Sequence, residues 1–347
     1  MSYTPYQAPF NAALLGHDET AALFSPRAEI AAMLRFEAAL AEAQADAGSI
    51  DRDAARTIAE ALPSFRPDMD ALRVGGGRDG VIVPALVRLL REHVGEPHGA
   101  SVHFGTTSQD VIDSAAMMRL RDAVALHVAA LEAAIAMLHH LQETVGERPI
   151  MLRTRMRHAY SGRLTDRLEN WLAGLTDALD SAPQRFPLQL GGPDGTLSAM
   201  YGHAPEIAVG VAERLGLAAP VRHWQTNRFP MIVIAQWFAN TCGACGKIGQ
   251  DVALMVQDEI AEVRVRGAGG SSAMAHKQNP VKAEALVTLA RFAATLVGGM
   301  NQAQVHEYER SGAAWALEWM LVPQLAVTCG AATRTVNELL GALEFDD

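Results

Sequence analysis

The longest hydrophobic repeat in the sequence predicts one very long helix. Between Gly105 and Gly146 the chain contains no Gly or Pro, and apolar residues recur every three or four positions, as at Leu120, Val124 and Val128. The pattern predicts a helix of about 35 residues, about 50 Å long at 1.5 Å per residue. Helices of globular proteins typically have about 8 to 20 residues, so this length indicates a coiled coil, a membrane span or an extended bundle. Histidines along the segment argue against the membrane.

Other segments rich in Ala, Leu and Val predict further helices. The segment 25–47 has Ser25 as a candidate N-cap and Pro26 in its first turn, where proline is tolerated. Pro323 lies inside the last such segment and should kink or break it. Period-two runs of Val, Ile, Thr and Tyr hardly recur, so we expect few strands and an all-α fold of long packed helices. The remaining helices are predicted at 205–215, 230–265, 281–297 and 302–340.

The predicted helices fall into two regions. Residues 1–100 are expected to form an N-terminal helical domain, and residues 101–340 a central domain, the long-helix bundle. Two loops rich in glycine interrupt the bundle at 188–202 and 265–280, and the second ends in Asn-Pro, where a new helix should begin. The sequence shows no internal repeat or low-complexity tract.

Composition and charge narrow the classes of function. With 49% hydrophobic residues among 347, the chain can bury a large core, which excludes a disordered or disulfide-rich protein. The net charge of −10 provides no broad basic surface for nucleic acid or an anionic membrane, so an anionic ligand needs a local cluster of cations. The N-terminus lacks the pattern of a secretion signal, and cysteines are few, which predicts a cytoplasmic protein. Cys242 and Cys245, although spaced as CxxC, lie in an apolar run and are expected to be buried.

The loop 267–280 carries the densest set of candidate chemical groups. Its glycines make the backbone mobile, Ser271 supplies a hydroxyl, and His276, Lys277 and Asn279 add an imidazole, a cation and an amide. A glycine-rich loop that leads into a helix can present backbone N–H groups to a carboxylate or phosphate. It can also close over a substrate. By composition alone, a flexible surface linker is the alternative.

The sequence of this loop, GSSAMAHKQNP, closely resembles the GSSxMPxKxN motif of the fumarase/aspartase superfamily of lyases and cycloisomerases. Ala275 stands where the motif has proline, which bears on the stiffness of the loop. The resemblance implies that Ser271 is the acid/base that exchanges a proton with a substrate carbon. It also implies that Lys277 and Asn279 hold a substrate carboxylate and the enolate-like charge that develops on it. Because a hydroxyl is a weak base, the closed loop and nearby positive charge must stabilise the serine oxyanion.

A second block, SVHFGTTSQDVIDSA, resembles the HxGxTSxD region of the same superfamily. The resemblance implies that five of its residues bind or orient the substrate: His103, Thr107, Ser108, Gln109 and Asp110. His103 is also a candidate catalytic group. Since the block lies where the long helix begins, Thr107, Ser108 and Asp110 have an alternative role as helix caps.

A third block, MLRTRMRHA, resembles the GRTHLQxA region of fumarases but departs from it. Arg155 stands where hydrolytic lyases and adenylosuccinate lyase have a histidine. The 3-carboxy-cis,cis-muconate cycloisomerases lack that histidine and keep an RTxxQHA-like sequence, so they match better, and His158 becomes the candidate catalytic histidine. Three arginines within five residues suit a multiply anionic substrate, whereas a solvated basic face is the alternative. The candidate substrate-binding residues of this block are Arg153, Thr154 and Arg155.

Two further blocks match the same cycloisomerase group. LQLGGPDGTLSAM and VRHWQTNRFP resemble LQxGGAxGTLAA and WHxQRDR, which implies substrate contacts from Gln225 and Arg228. VHEYERSGAAWALEWMLVPQL resembles ERAxGxWxLEW. Trp315 and Trp319 in that block lie four apart on one helical face and are expected in the core. Arg310 and its acidic neighbours either reach the site or form salt bridges on the helix surface.

The resemblance, which spans about residues 10–340, implies membership of the 3-carboxy-cis,cis-muconate cycloisomerase family. Its reaction adds a carboxylate oxygen across a conjugated double bond, giving 4-carboxymuconolactone in protocatechuate breakdown by the β-ketoadipate pathway. The family implies a small polycarboxylate substrate, no metal or organic cofactor, and a homotetramer whose sites combine groups from different subunits. Members are commonly longer, so most of a small C-terminal domain is expected to be absent.

Two other functions remain open at the level of sequence. The first is a β-elimination like that of adenylosuccinate lyase, which must hold a nucleotide phosphate and against which Arg155 counts. The second is a non-catalytic helical scaffold with the same fold. The intact Ser271, Lys277 and Asn279 argue against a scaffold.

Overall fold

The computed structural model is built almost entirely of helices, which confirms the all-α prediction. It describes residue 6 and residues 8–200, 202–274 and 276–345. The helices α1 to α12 are Pro9–Leu15, Asp18–Leu23, Pro26–Asp46, Arg52–Ala61, Met69–Asp79, Val83–Val94, Ser108–Val145, Leu164–Asp180, Ala204–Leu215, Phe229–Met255, Val281–Ala303 and Ala313–Leu340. The strands β1 to β4 are Pro149–Thr154, Arg157–Arg163, Arg264–Val265 and Leu343–Glu344. β1 pairs with β2 and β3 with β4, both antiparallel.

The longest helix, α7, has 38 residues and lies within the stretch that the hydrophobic repeat predicted. Its buried face carries apolar side chains at helical spacing, among them Leu120, Leu131 and Leu138. α7 contacts α3, α8 and α12. It is therefore the element to which both the N-terminal helices and the rest of the bundle are attached.

Helices α10, α11 and α12 pack against one another and complete the bundle. The predicted helix over 302–340 is wrong at its start, because residues 304–312 form a connection before α12 begins. The predicted helix over 230–265 is too long, since α10 ends at Met255. Pro323 lies inside α12 and does not break it. Packing of α12 against α7, α10 and α11 compensates for the backbone hydrogen bond that proline removes.

The sequence did not predict the β-hairpin that joins α7 to α8. In this hairpin Arg153 of β1 lies opposite His158 of β2. The turn between the strands consists of Arg155 and Met156, both at positive φ, 49° and 62°. Two-residue hairpin turns of this kind normally use Asn and Gly, because other residues are strained at positive φ. The usual turn signal was therefore missing from the sequence.

Two local predictions are confirmed. Ser25 is the N-cap of α3, where its Oγ accepts a hydrogen bond from the backbone N–H of Ala28 at 3.3 Å, and Pro26 is the first helical residue. Cys242 and Cys245 are free thiols with no exposed surface. They serve as small apolar residues of the core.

The N-terminal helices pack directly on the central bundle. α3 contacts both α7 and α9. One continuous hydrophobic core includes side chains from both regions. The division into two domains near residue 100 stays a prediction.

Two helices, α7 and α11, are long and apolar enough to cross a membrane when judged by length and composition alone. Core helices of soluble proteins meet the same criterion, so the feature is weak evidence for a membrane span. Only 28% of the most apolar window of α7 and 44% of that of α11 is buried within this chain. A single copy therefore leaves apolar helix surface uncovered.

His127 of α7 is buried between three helices of the bundle. Its Nε2 lies 3.1 Å from the carbonyl oxygen of Ala326, so this nitrogen carries the proton. The ring packs against Trp237 and Phe238. Burial, together with the neighbouring His17 ring, lowers the pKa of His127 to about 3. The side chain is therefore neutral in the folded protein over a wide pH range.

We predict that His127 makes the fold sensitive to acid. A histidine in the unfolded chain titrates near pH 6.5. Between that pH and about 3 the unfolded chain binds a proton that the folded chain does not, so the free energy of unfolding decreases as the pH falls. His127→Gln keeps an N–H donor but does not titrate, so its stability should decrease less between about pH 7 and pH 5 in urea unfolding.

The matched control is His139→Gln, an exposed histidine on the same helix. It should follow the wild-type pH dependence. If His127→Gln loses stability as steeply as the wild type over this range, His127 is not the cause.

Candidate active site

The N-terminal end of α7 carries four of the predicted site residues, Thr107 to Asp110. Thr107 is the N-cap, and its backbone N–H donates to Oδ2 of Asp110 at 3.1 Å. Ser108 is the first helical residue and is partly exposed. The hydroxyl oxygen of Thr107 accepts a hydrogen bond from Nη2 of Arg310 at 2.8 Å. The capping role thus exists for Thr107 and Asp110, and Arg310 reaches the same helix end.

Asp110 fastens the glycine-rich loop 188–202 to this helix end. Its carboxylate accepts hydrogen bonds from the backbone N–H groups of Gly191 at 2.8 Å and Gly192 at 2.9 Å. The side-chain amide of Gln189 donates to it at 3.3 Å. Burial raises the pKa of Asp110 to about 7, although these N–H groups favour the charged form. The hydrogen bonds of this carboxylate thus connect the end of α7 to the loop 188–202.

Gln109 and Gln225 lie in the interior behind the same loop. Nε2 of Gln109 donates to the carbonyl oxygen of Gln225 at 2.8 Å, and Nε2 of Gln225 donates to that of Gly192 at 2.8 Å. Neither side chain has exposed surface. The backbone of Gly195, at φ +85°, lies next to the His223 ring, and a Cβ at this position would be only 2.8 Å from that ring. The predicted substrate contacts of the two glutamines stay predictions, and the contacts seen are structural.

Arg228 is the centre of a buried ionic cluster. Its guanidinium group bonds both oxygens of Asp113 at 2.6 and 3.1 Å, and both oxygens of Glu318 at 2.6 and 2.8 Å. It also stacks over the Trp224 ring at 4.7 Å. Burial alone would lower the pKa of Arg228, but the two carboxylates raise it on balance. Trp315 joins the cluster through a 2.9 Å bond from Nε1 to Asp113 and is buried as predicted.

The role seen for Arg228 is to connect three helices. Asp113 is on α7, Arg228 immediately precedes α10, and Glu318 is on α12. Its side chain has no exposed surface. A substrate contact from this side chain, which the motif implied, stays a prediction without support from these contacts. Trp319, expected in the core, is 38% exposed, although its ring contacts that of the buried Trp315.

His103 lies just before α7 and lines a cavity of about 490 Å³. Thr107 and Ser108 line the same cavity, as do Arg88 and Arg91 of α6. Three predicted site residues thus face one space. Glu92 also lines this cavity and pairs with Arg88 at 2.8 Å, so Arg91 is the arginine left to provide positive charge for an anionic ligand.

The hairpin carries the second group of predicted residues. Arg153 forms an ion pair with Glu262, which also pairs with Arg167 at 2.7 Å. Burial would raise the pKa of Glu262, but the two arginines lower it on balance. Arg153 thus shares one carboxylate with Arg167, which leaves a net positive charge on the three groups. The other predicted residues of this block are exposed on the hairpin: Thr154, Arg155 and His158.

A cavity of about 700 Å³ lies between the hairpin, α8 and the end of α10. Arg153, Arg155 and His158 line it, together with Lys247. Carboxylates balance its arginine and lysine side chains in number, and none of the described residues of 265–280 lines it. The hairpin residues thus share a cavity, but the serine loop of the same chain is not part of it.

The loop before α11 is closed at its base by backbone hydrogen bonds. Gly269 and Asn279 exchange two such bonds, at 2.9 and 2.7 Å. The side-chain amide of Asn279 donates to the carbonyl oxygen of Gly270 at 3.2 Å. The predicted role of Asn279 at a substrate carboxylate stays a prediction, and its observed bonds fix the base of the loop.

At the tip of this loop, the hydroxyl oxygen of Ser271 accepts hydrogen bonds from two backbone N–H groups. The donors are Ala273 at 3.3 Å and Met274 at 3.1 Å. Lys277 lies nearby in the sequence and is exposed. Ala275 lies outside the described residues. Two N–H groups aimed at one oxygen stabilise negative charge on it.

The described residues form three separate groups of candidate side chains. They are the end of α7 with His103, the hairpin with His158, and the loop with Ser271. Within the described chain no hydrogen bond joins one group to another, and the two cavities share no residue. In the same part of the chain, no cluster of three or more His, Cys, Asp or Glu could hold a metal ion.

Sequence reasoning missed the carboxylates that hold the candidate residues in place. They are Glu37, Asp113, Glu262 and Glu318, which bind His103, Arg228 and Arg153. Each is one acidic residue among 39 in the chain. Their partners are distant in sequence, so no local pattern pointed to them.

Comparisons with known proteins agree with this architecture. A family model described as Lyase matches residues 12–295. A 3-carboxy-cis,cis-muconate cycloisomerase of Pseudomonas aeruginosa is 35% identical over 94% of this chain and 73% of its own length. A nitrosuccinate lyase of Streptomyces davaonensis is also 35% identical, over 94% of this chain and 72% of its own. The structure of the 3-carboxy-cis,cis-muconate lactonizing enzyme from Pseudomonas putida superimposes with a TM-score of 0.90 at 32% identity, covering 96% of this chain and 77% of that one.

We predict that Arg228→Gln unfolds far more easily than the wild type. The substitution removes the guanidinium charge between two buried carboxylates and leaves only the His306 ring, 3.6 Å from Glu318, so the free energy of unfolding should fall by about 3–5 kcal/mol. Arg222→Gln, an exposed arginine in the same segment, serves as control and should change little. Urea unfolding of the three proteins measures the difference. Unchanged stability in Arg228→Gln, with only a raised KM, would instead support a direct substrate contact.

Proposed function

Since this chain belongs to the lyase family whose model matches it, we propose that it closes 3-carboxy-cis,cis-muconate to 4-carboxymuconolactone. The observation that carries the proposal is the match over nearly the whole chain to relatives named for this cycloisomerase. The reaction places the protein in protocatechuate breakdown by the β-ketoadipate pathway, as a cytoplasmic enzyme.

Ser271 exchanges the proton with the substrate carbon in this proposal. In lactonisation a carboxylate oxygen bonds to one end of a conjugated double bond, and the carbon at the other end takes up a proton. In the reverse direction a base removes that proton while the C–O bond breaks. The N–H groups of Ala273 and Met274 support Ser271 in this role, because they stabilise the charge on Oγ when its proton has left.

Lys277 and the arginines supply positive charge for the carboxylates. Negative charge builds up on the carboxylate that is conjugated with the reacting carbon, and a cation placed there lowers the barrier. Lys277 is exposed on the serine loop. Arg155 is likewise exposed, on the hairpin. More than one cation suits a substrate with three carboxylates.

We also propose that the active site is completed between copies of the chain in a homotetramer. The three groups of candidate residues lie on different parts of one copy. The exposed apolar surfaces of α7 and α11 provide the area that other copies would cover. His103, His158 and Ser271 would then meet in one site although they are separate in each chain.

A lyase reaction on a nitro-substituted succinate is the second candidate function. It is favoured by the nitrosuccinate lyase relative, which is as similar in sequence as the cycloisomerase relative. The two reactions share a β-elimination step in one direction, so the same serine could serve both. Only the substrate distinguishes them.

We predict that the purified protein consumes the conjugated diene of 3-carboxy-cis,cis-muconate. The wild type should cause its ultraviolet absorption to decrease. The rate of this decrease should be about 10²-fold or more lower in Ser271→Ala, because the proton donor is removed. Ser272→Ala, a neighbouring hydroxyl, is the matched control and should retain most activity. Nitrosuccinate and adenylosuccinate are assayed in parallel. An unchanged diene with turnover of either of these would reject the proposed substrate, and equal activity of Ser271→Ala and the wild type would reject the proposed acid.

A further inference from the structure

The backbone around His103 is held in an unusual conformation by side chains from two other helices. His103 has a φ of +62°, a left-handed backbone conformation that is strained for a residue with a side chain. The carbonyl oxygen of Val102 accepts from Nη2 of Arg91 at 2.9 Å, and that of Phe104 accepts from Nε2 of Gln44 at 2.7 Å. α3 and α6 thus fix the backbone on both sides of the histidine.

Glu37 of α3 holds the ring itself. Its Oε1 lies 2.7 Å from Nδ1 of His103, and its side chain is only 2% exposed. Its second oxygen, Oε2, is buried without a hydrogen-bond partner in the described chain. A carboxylate only accepts hydrogen bonds, so Nδ1 of His103 carries a proton. Such a buried carboxylate is stabilised chiefly by positive charge on the imidazole.

The remaining ring nitrogen, Nε2, is available to the cavity that His103 lines with Thr107 and Ser108. Three charged groups act on the ring: Glu37 from α3, Asp110 from α7 and Arg91 from α6. Burial lowers the pKa of His103 and Arg91 does the same, but Glu37, with help from Asp110, raises it on balance. The ring is therefore more readily protonated than a free histidine.

We propose that Glu37 is a positioning residue, which holds Nδ1–H of His103 and favours the doubly protonated ring, so that Nε2–H is presented to a carboxylate of the ligand in this cavity. The identity of the ligand rests on the proposed function, whereas the state of the ring does not. Without the charge of Glu37 the ring would lose its preference for the protonated form. Nε2 would then be a weaker partner for a carboxylate at neutral pH.

The test compares Glu37→Gln with Glu42→Gln in the full-length protein. Glutamine keeps an oxygen that accepts from Nδ1 but removes the charge, so it separates orientation from electrostatics. Glu42 is exposed on the same helix and pairs with Arg214 at 3.0 Å, which makes it a control with the same change of charge. Histidine side-chain NMR signals are followed against pH, with the His103 signal assigned from its absence in His103→Gln.

We expect the His103 midpoint to lie above about 6.5 in the wild type and in Glu42→Gln. In Glu37→Gln it should fall by about one unit or more. The acidic limb of the kcat/KM profile should shift in the same direction. An unchanged midpoint in Glu37→Gln would overturn the proposal, because glutamine keeps the packing and the hydrogen bond.

If Glu37→Gln does not fold, measurements on the wild type alone still test the proposal. The nitrogen chemical shifts of the neutral ring show which nitrogen carries the proton, and the proposal requires Nδ1. A neutral ring protonated on Nε2, or a wild-type midpoint below about 6.5, would overturn it. These results are independent of turnover, so a protein that does not consume 3-carboxy-cis,cis-muconate rejects the proposed function and leaves this inference testable.

Discussion

The ionic cluster around Arg228 is the interaction on which the arrangement of the candidate site depends. One buried guanidinium group satisfies two carboxylates, and through them α7, the start of α10 and α12 meet at a single point. Such a cluster tolerates little displacement, since loss of one partner leaves a charge in the core. Asp113 of this cluster lies about one helical turn after Asp110, which binds the loop 188–202. The cluster therefore fixes the end of α7 beside His103.

This rigid frame keeps the three groups of candidate residues apart. The end of α7, the hairpin and the serine loop are each braced by their own contacts, through Glu37, Glu262 and the backbone bridge at Gly269. Bringing the three groups together within one copy would need a motion of these elements relative to one another. Association of copies along the uncovered surfaces of α7 and α11 needs no such motion, and it buries apolar area at the same time.

The sequence predicted the helices well because their periodicity is a local property. The 38 residues of α7 follow from spacing alone, as does the cap at Ser25. The hairpin was not predicted, because Arg155 and Met156 occupy a turn that normally needs Asn and Gly. The motif implied a substrate contact for Arg228 but not its burial, which depends on partners about 90 and 115 positions away. The role of Glu37 was not predicted for the same reason, because its partner His103 lies on a loop that is distant in the sequence.

The most direct test of this account is to mix two inactive variants, Ser271→Ala and His158→Gln, each with a different affinity tag. After dissociation and reassociation, oligomers that carry both tags are isolated and assayed with 3-carboxy-cis,cis-muconate. If one site takes its serine and its histidine from different copies, up to about a quarter of the sites in the mixed oligomers become intact and activity returns. Mixed oligomers that form but stay inactive would contradict a site shared between copies.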